Sequence, residues 1–427
     1  MGNGSWDRRL WEDLTNFGRF KSPSVALNTD NGAGDAFGRL RVSQAVTVFD
    51  SQLQYDKQPL LWDEKIAGSA TSTHLPNESS VDMGVTTADG DSVIRQTRDY
   101  IRYQPGKSQF ILCTFVMGAS QEGTTKLVGY GDNNNGIFLG QDGGGLFVML
   151  RSKNTGTVND TRKVYQTDWN LNDFGPTNIS GESLDPTKSQ ILVIDIEWLG
   201  VGRIRLGLNI NGVTYYFHEF LNANTIDKAY MTTANLPVRY EITNTQAVAA
   251  ANTLKHICTS VISEGGVDET LAYPFSTELL DAPIGNGVVN ETVIFATRHA
   301  LTFNGIENRA RFRPTSYEVL AVGGPVVAKV VYNPTIVGGT WASVSPDSIM
   351  EENSTATSYT NGLNVGTSIV AGGAAKSGTP VFGNTVTAKL PFGLGIDADD
   401  PIPLALVAYS NTNNVTASFT FQWEELR

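Results

Sequence analysis

Charge is scarce in this chain: charged side chains make up 17% of its 427 residues, and no basic run stands out among them. Acidic groups outnumber basic ones 43 to 31, which sets the formal net charge at −12. Such a surface repels phosphate backbones, so a general nucleic-acid-binding role is excluded. Cysteine is nearly absent. The two residues present, Cys113 and Cys258, each sit in apolar, strand-like text and read as separate thiols, which excludes a secreted disulfide scaffold. No apolar run approaches the length of about 18 residues that a membrane helix needs. The N-terminal residues match no signal peptide, and Trp6 stands where a myristoylation motif requires Ser or Thr. The expectation is a chain without membrane contact, soluble at least until it assembles. The phosphate-cradling pattern GxxxxGK[ST] is missing too. Four histidines, His74, His218, His256 and His299, are spread without metal-ligand spacing. No metal and no cofactor are expected.

Glycine is plentiful, with 43 residues, and Val, Ile, Thr and Asn recur around it in short alternating runs. The stretch from Ile191 to Phe220 carries the pattern most plainly. Val193, Asp195 and Glu197 fall on one face of a strand, with Leu192, Ile194, Ile196 and Trp198 on the other. Arg203, Arg205 and Asn209 alternate in the same way with Ile204, Leu206, Leu208 and Ile210. Antiparallel neighbours on one face must match, so a turn at Gly200-Val201-Gly202 sets Glu197 opposite Arg203 and Asp195 opposite Arg205. Asn211-Gly212 suits a two-residue type I′ turn, because both central residues need positive φ. A third strand runs from Val213 to Phe220.

The fold class read from this text is all-β, in three parts. Residues 1–45 form an N-terminal helix and anchoring arm. Within it, Ser5 caps a helix over residues 5–20 whose Trp6, Leu10, Leu14 and Phe17 form an apolar stripe, and a polar linker follows. The stripe packs on its own domain or docks into a neighbouring subunit. Residues 46–270 form a jelly-roll β-sandwich, with strand signals about every ten residues. Its strands include Val93 to Tyr103, Phe110 to Val116, Lys126 to Tyr130 and Thr253 to Ser263. Residues 271–427 form a second β-sandwich domain, joined through 265–287. It ends in a strand whose Val415, Ala417, Phe419, Phe421 and Trp423 alternate with polar residues. Residues 343–387 read as loops or short edge strands.

Two groups invite a chemical reading. Asp195 and Glu197 share one strand face, as the two carboxylates of a glycoside hydrolase do. Opposed arginines offer the plainer alternative, ordinary cross-strand ion pairs. Tyr216 is expected on the face of Arg203 and Arg205, where aromatic and charged groups together make a candidate site for a host-surface glycan. Asp132 with Asn133 to Asn135 offers oxygens to calcium, and an Asn-rich hairpin turn accounts for the same residues.

Val193-Ile-Asp-Ile-Glu197 resembles the Glu-Ile-Asp-Ile-Glu strand of laminarinase-type β-glucanases, which have a concanavalin-like sandwich. In that family the first Glu is the nucleophile; here Val193 stands in its place and cannot attack. A broader likeness starts at Asp35-Ala-Phe-Gly-Arg-Leu-Arg-Val-Ser43 and continues through Val48-Phe-Asp-Ser51 and Tyr103-Gln-Pro-Gly-Lys-Ser108. It extends to Asp195-Ile-Glu-Trp-Leu-Gly-Val-Gly202, Leu236-Pro-Val-Arg-Tyr-Glu-Ile242 and Ile262-Ser-Glu-Gly-Gly266. These blocks resemble a family of virion structural proteins of tailed, mostly aquatic bacteriophages. The resemblance implies a virion component without saying which one and carries over no catalytic residues; with the acidic, glycine-rich β text it leads to the expectation of a non-enzymatic tail appendage or capsid decoration subunit, assembled in the host cytoplasm as a homo-oligomer with other virion proteins. Arg39 and Arg41, in its first block, pair with acidic residues of a neighbour or of their own domain. Together with Trp6, Leu10, Leu14 and Phe17 they are the candidate docking residues.

Overall fold

The computed structural model describes residues 34–36, 38–39, 41, 44–175, 182–267, 272–373, 384–385 and 390–427. The expected helix over residues 5–20, with Trp6, Leu10, Leu14 and Phe17, lies outside them. The described chain is built from antiparallel strands arranged around two separate apolar cores.

Two sheets enclose the first core. One holds β1 (Ala45–Gln52), β3 (Thr71–Leu75), β4 (Ser80–Val85), β6 (Ser108–Val116), β11 (Ser189–Ile196), β12 (Ile204–Ile210), β13 (Val213–Phe220) and β15 (Asn252–Glu264). Its order is β13-β12-β11-β6-β15-β4-β3, with β1 paired to β15. The other holds β2 (Trp62–Ala67), β5 (Ser92–Thr97), β7 (Thr124–Gly131), β8 (Gly136–Asp142), β9 (Gly145–Ser152), β10 (Asn159–Tyr165) and β14 (Val238–Asn244). They run in the order β10-β9-β8-β7-β14-β5-β2. Alternate side chains of both sheets point inward and bury Ile111, Cys113, Val128, Tyr130, Ile194, Leu206 and Ile242 between them. This is a β-sandwich.

The predicted register is present. Asp195 lies opposite Arg205, Ile196 opposite Ile204 and Ile194 opposite Leu206. Asn211 and Gly212 turn with φ of 54° and 84°, as a type I′ hairpin requires. Cys113 and Cys258 are free thiols. Elsewhere the alternation overstated or understated strand length. The strand expected over Val93 to Tyr103 stops at Thr97, whose hydroxyl donates to the Asp99 carbonyl; beyond it Ile101 makes a single bridge to Leu236. The expected connection 265–287 contains an eleven-residue strand, Tyr273–Pro283. Phe275, Thr277 and Leu279 are half-buried, the first and last of them against the second core, but the exposed Leu280 and an irregularity between Leu279 and Ala282 break the alternation that would have announced the strand.

Around the second core, a four-stranded sheet carries Tyr273–Pro283, Thr416–Leu426, Arg311–Val322 and Asn384–Thr385 in that order. A six-stranded sheet faces it, centred on Thr292–His299, Leu404–Tyr409 and Val326–Tyr332. Leu363–Val370, within the stretch expected as loops or edge strands, is the edge strand of that sheet. Ala417, Phe419, Phe421 and Trp423 of the last strand are buried, and the polar residues between them are not. The two cores meet through polar contacts: Lys65 with Asp397 at 2.7 Å, Arg311 with Asp99 at 3.1 Å, and the Ile396 amide donating to Asp63 at 3.1 Å.

Trp62 crosses from one sheet of the first sandwich to the other. Its ring meets Phe49, Tyr240 and His256 edge-on, and its Nε1–H donates to Ser51 Oγ at 2.8 Å. Trp62→Ala is expected to cost about 3–5 kcal/mol, read from urea unfolding monitored by far-UV circular dichroism. A loss below about 1 kcal/mol would mean that the two sheets do not depend on this side chain.

Candidate functional site

The outer face of the first sheet, turned away from the core, carries the residues singled out from sequence. Register places them. Asp195 on β11 faces Arg205 on β12 and Phe110 on β6; Gly207 on β12 faces Tyr216 on β13; Glu264 at the end of β15 faces Ser108. A bulge between Leu206 and Gly207 shifts β13, so that Phe217 turns into the core while Tyr216 stays on the outer face. A Cβ at residue 207 would come within 3.0 Å of the Tyr216 ring and of the Tyr215 carbonyl oxygen. Glycine there makes room for the ring to lie under the Arg205 guanidinium, 4.2 Å from its centroid.

Asp195 is fully buried and its carboxylate is saturated. Oδ2 accepts from Arg205 at 2.6 Å, from the Tyr216 hydroxyl at 2.9 Å, and from Arg41. Oδ1 accepts from Ser108 Oγ at 3.0 Å. Arg41 belongs to the arm, so this carboxylate fastens the arm to the sheet. The same guanidinium reaches Glu264 Oε1 at 2.9 Å, donates to the Gly34 carbonyl at 3.1 Å, and lies 4.3 Å over the Phe110 ring. Arg205 donates to the same Gly34 carbonyl at 2.7 Å, and Arg203 donates to Ala36 O at 3.2 Å. Asp35 folds the arm on itself: it accepts from the Arg39 amide at 2.8 Å and from Arg39 Nε at 2.7 Å. We call this group the arm clamp.

Among the alternatives left open for Arg39 and Arg41, both pair within their own chain, Arg39 with Asp35 and Arg41 with Asp195 and Glu264. The open face expected at Tyr216, Arg203 and Arg205 is covered: Tyr216 and Arg205 are only 4% and 2% exposed, because the arm lies across them. The expected ladder pair of Glu197 with Arg203 is made through the backbone, Glu197 N donating to Arg203 O at 3.1 Å. The Arg203 guanidinium turns instead towards Glu219 of β13, 3.7 Å away. Sequence reading missed Ser108, Phe110 and Glu264 as members of the group. Glu264 continues the alternation of its strand by one residue beyond Ser263, and that was the available signal.

Burial sets the protonation of the surrounding groups. Loss of water pushes the Tyr216 hydroxyl up, with the Asp195 charge adding to the effect, so Tyr216 is a neutral donor. Glu197 is raised by burial, against the pull of Arg203. Glu264 is pushed up to about 7, chiefly by burial, with Arg41 opposing and Asp195 reinforcing; its Oε2 is buried with no hydrogen-bond partner among the described residues. Both oxygens of Asp195 are committed and Val193 holds the adjacent position on β11, while Glu197 on the same face is half-buried.

The remaining candidates resolve into structural roles. His256 is buried, stacked 3.9 Å from Tyr240 and bonded by Arg95; burial next to that cation holds it well below its usual range. His218 and His299 are lowered to about 4 by burial. Asp132 accepts the amides of Asn134 and Asn135 at 2.7 and 2.8 Å, which is the chemistry of an Asx turn. Among the described residues, no group of three or more His, Cys, Asp or Glu side chains is arranged to hold a metal ion.

No family model matches the chain, and no curated protein does. Solved structures with a similar course include a protein of unknown function from Shewanella oneidensis MR-1, at 9% identity and TM-score 0.34, covering 59% of this chain and 98% of that one. A legume lectin-like domain from Entamoeba histolytica follows at 11% identity and TM-score 0.32, covering 51% and 98%. A carbohydrate esterase from Shiga toxin-encoding bacteriophage phi24B aligns at 10% identity and TM-score 0.30, covering 51% and 99%. At TM-scores this low the likenesses assign neither a family nor a function.

Asp195→Ala leaves the buried Arg205 guanidinium without its counter-charge and Arg41 with Glu264 alone, and is expected to cost about 3–5 kcal/mol in urea unfolding. A carboxyl whose pKa is higher folded than unfolded contributes stability below its unfolded value and loses that contribution as pH rises through its folded value. For Glu264 that window runs from 4.5 to about 7. The stability of the natural chain minus that of Glu264→Gln should therefore fall across this window; a difference that is flat from pH 4.5 to 7 would refute the assignment.

Proposed function

We propose that the chain is a non-catalytic structural subunit of a bacteriophage virion, a tail appendage or capsid decoration protein. In this reading it is built on a concanavalin-like or jelly-roll sandwich and anchored through residues 1–45. The observation that carries the reading is the saturated Asp195 carboxylate. The residue standing where a β-glucanase strand keeps its chemistry is spent on holding the arm, through Arg41, Arg205, Tyr216 and Ser108. A buried, fully bonded charge of this kind fixes geometry and offers nothing to a substrate. The blocks shared with virion structural proteins contain the same parts. Arg41 and Asp35 lie in the first, Ser108 ends another, Asp195 opens a third and Glu264 lies in the last. Assembly then proceeds through the arm, with the sandwich faces meeting other copies or other virion proteins.

The test is particle incorporation. Purified particles are probed by mass spectrometry and by electron microscopy with a label on this chain, for the natural protein and for a version lacking residues 1–20. The shortened chain is expected to fold, with unchanged thermal unfolding of its sandwiches, and to be absent from particles. Normal incorporation of it would overturn the anchoring role. Hydrolysis of β-glucan by the natural chain, abolished in Glu197→Gln, would overturn the non-catalytic reading.

A further inference from the structure

A cavity of about 560 Å³ opens on the first sandwich, away from the arm clamp, between the end of the β9–β10 hairpin and the loop that follows β13. Its volume lies within the range of about 300–1,000 Å³ typical of small-molecule sites. Leu150, Ser152, Asn159 and Arg162 line it from the hairpin; Asn224, Thr225, Asp227 and Lys228 line it from the loop.

Both walls are tied down. The Asn222 amide donates to the Gly202 carbonyl at 2.7 Å and its oxygen accepts from Arg162 at 2.6 Å. Asn154 bonds the Ala229 carbonyl at 2.8 Å, and the Tyr230 amide donates to Gly200 O at 2.9 Å. Asn224 holds φ at 59°, which pins the loop's turn. A cavity framed in this way is set before any ligand arrives, and binding then costs little ordering.

The charges in it are unlike those of the rest of the chain. The chain as a whole is acidic, at −12, yet Arg162 and Lys228 outnumber Asp227 in the lining of this cavity, and neither cation forms an ion pair among the described residues. The Arg162 guanidinium is half-buried, lies 4.9 Å over the Phe220 ring, and makes its single side-chain hydrogen bond among the described residues to Asn222. Its other N–H groups are left for a partner, and a guanidinium matches a carboxylate in both spacing and planarity. The Asn224 amide offers both a donor and an acceptor, the Ser152 hydroxyl accepts from the Asn154 amide and keeps its proton, and the Thr225 hydroxyl donates to the Ala223 carbonyl and keeps its lone pairs, a set suited to a ring bearing several hydroxyls.

We propose that this cavity binds an acidic sugar, with its carboxylate on Arg162 and Lys228 and its hydroxyls among the amides and hydroxyls of the rim. The proposal goes beyond the structural role and is independent of the arm clamp.

The full chain is titrated with glucuronate, with glucose as the same ring lacking the carboxylate, and with inorganic phosphate as a simple anion, by isothermal calorimetry at low salt. Saturable glucuronate binding is expected with a dissociation constant of about a millimolar or below, and glucose and phosphate are each expected to bind at least about tenfold more weakly. Arg162→Gln should weaken glucuronate binding about tenfold. Because that change also removes the bond to Asn222, Lys228→Gln and Asn224→Gly are measured beside it. Lys228 is exposed, and glycine tolerates the positive φ at 224, so both variants should keep the natural unfolding temperature while losing affinity. Absence of saturable glucuronate binding overturns the proposal, as does glucose or phosphate binding equally well, or affinity that is unchanged in Lys228→Gln and Asn224→Gly.

Discussion

One buried charge organises the outer face of the first sandwich. Removing a carboxylate from water costs several kcal/mol, and the mutual attraction of ions repays this only with good geometry and full hydrogen bonding. Asp195 has both, but only when the arm is in place, because Arg41 supplies one of the bonds to its Oδ2. The adjacent pieces follow from that need. Gly207 gives the Tyr216 ring space, Tyr216 stays protonated and so can donate, and Arg205 lies against the ring while bonding both Asp195 and the arm's Gly34 carbonyl. Neutral ladder residues at these positions would leave the sheet intact and the arm without a seat.

The clamp also shows how the carboxylates Asp195 and Glu264 are occupied. A general acid or base needs a free lone pair or proton, access to a substrate and a pKa close to the working pH. Asp195 has no free oxygen and no exposure. Glu264 does have a pKa near 7, but burial produces it, and its bonded oxygen is held by Arg41. The shifted pKa of Glu264 follows first from its burial within the clamp.

Much of this could be read in the sequence. The period-2 text from Ile191 to Phe220 specified two hairpins and the register of the first, since a slip by one would have turned Ile194 and Leu206 out of the core and Asp195 into it; the bulge between Leu206 and Gly207 in the second left no such mark. The last strand was equally plain, because one face is apolar throughout. Tyr273–Pro283 was hidden because its inward face is only half-buried, and an exposed Leu280 with an irregularity before Ala282 interrupts the pattern. The clamp was half legible. Asp195 and Arg205 could be paired by local register, whereas Arg41 and Ser108 are 154 and 87 residues from Asp195, and no local rule connects them. The acidic sugar cavity was not legible at all. It depends on Arg162 lacking a carboxylate, and a missing partner is a property of three-dimensional neighbours.

Fastening the arm at residues 34–41 also fixes a point of departure. Whatever the first 33 residues do, they do from one spot on the sheet face, and covalent geometry limits their span to about 110 Å when fully extended. The clamp is therefore a pivot: any partner of that segment must come within this radius of the sheet face.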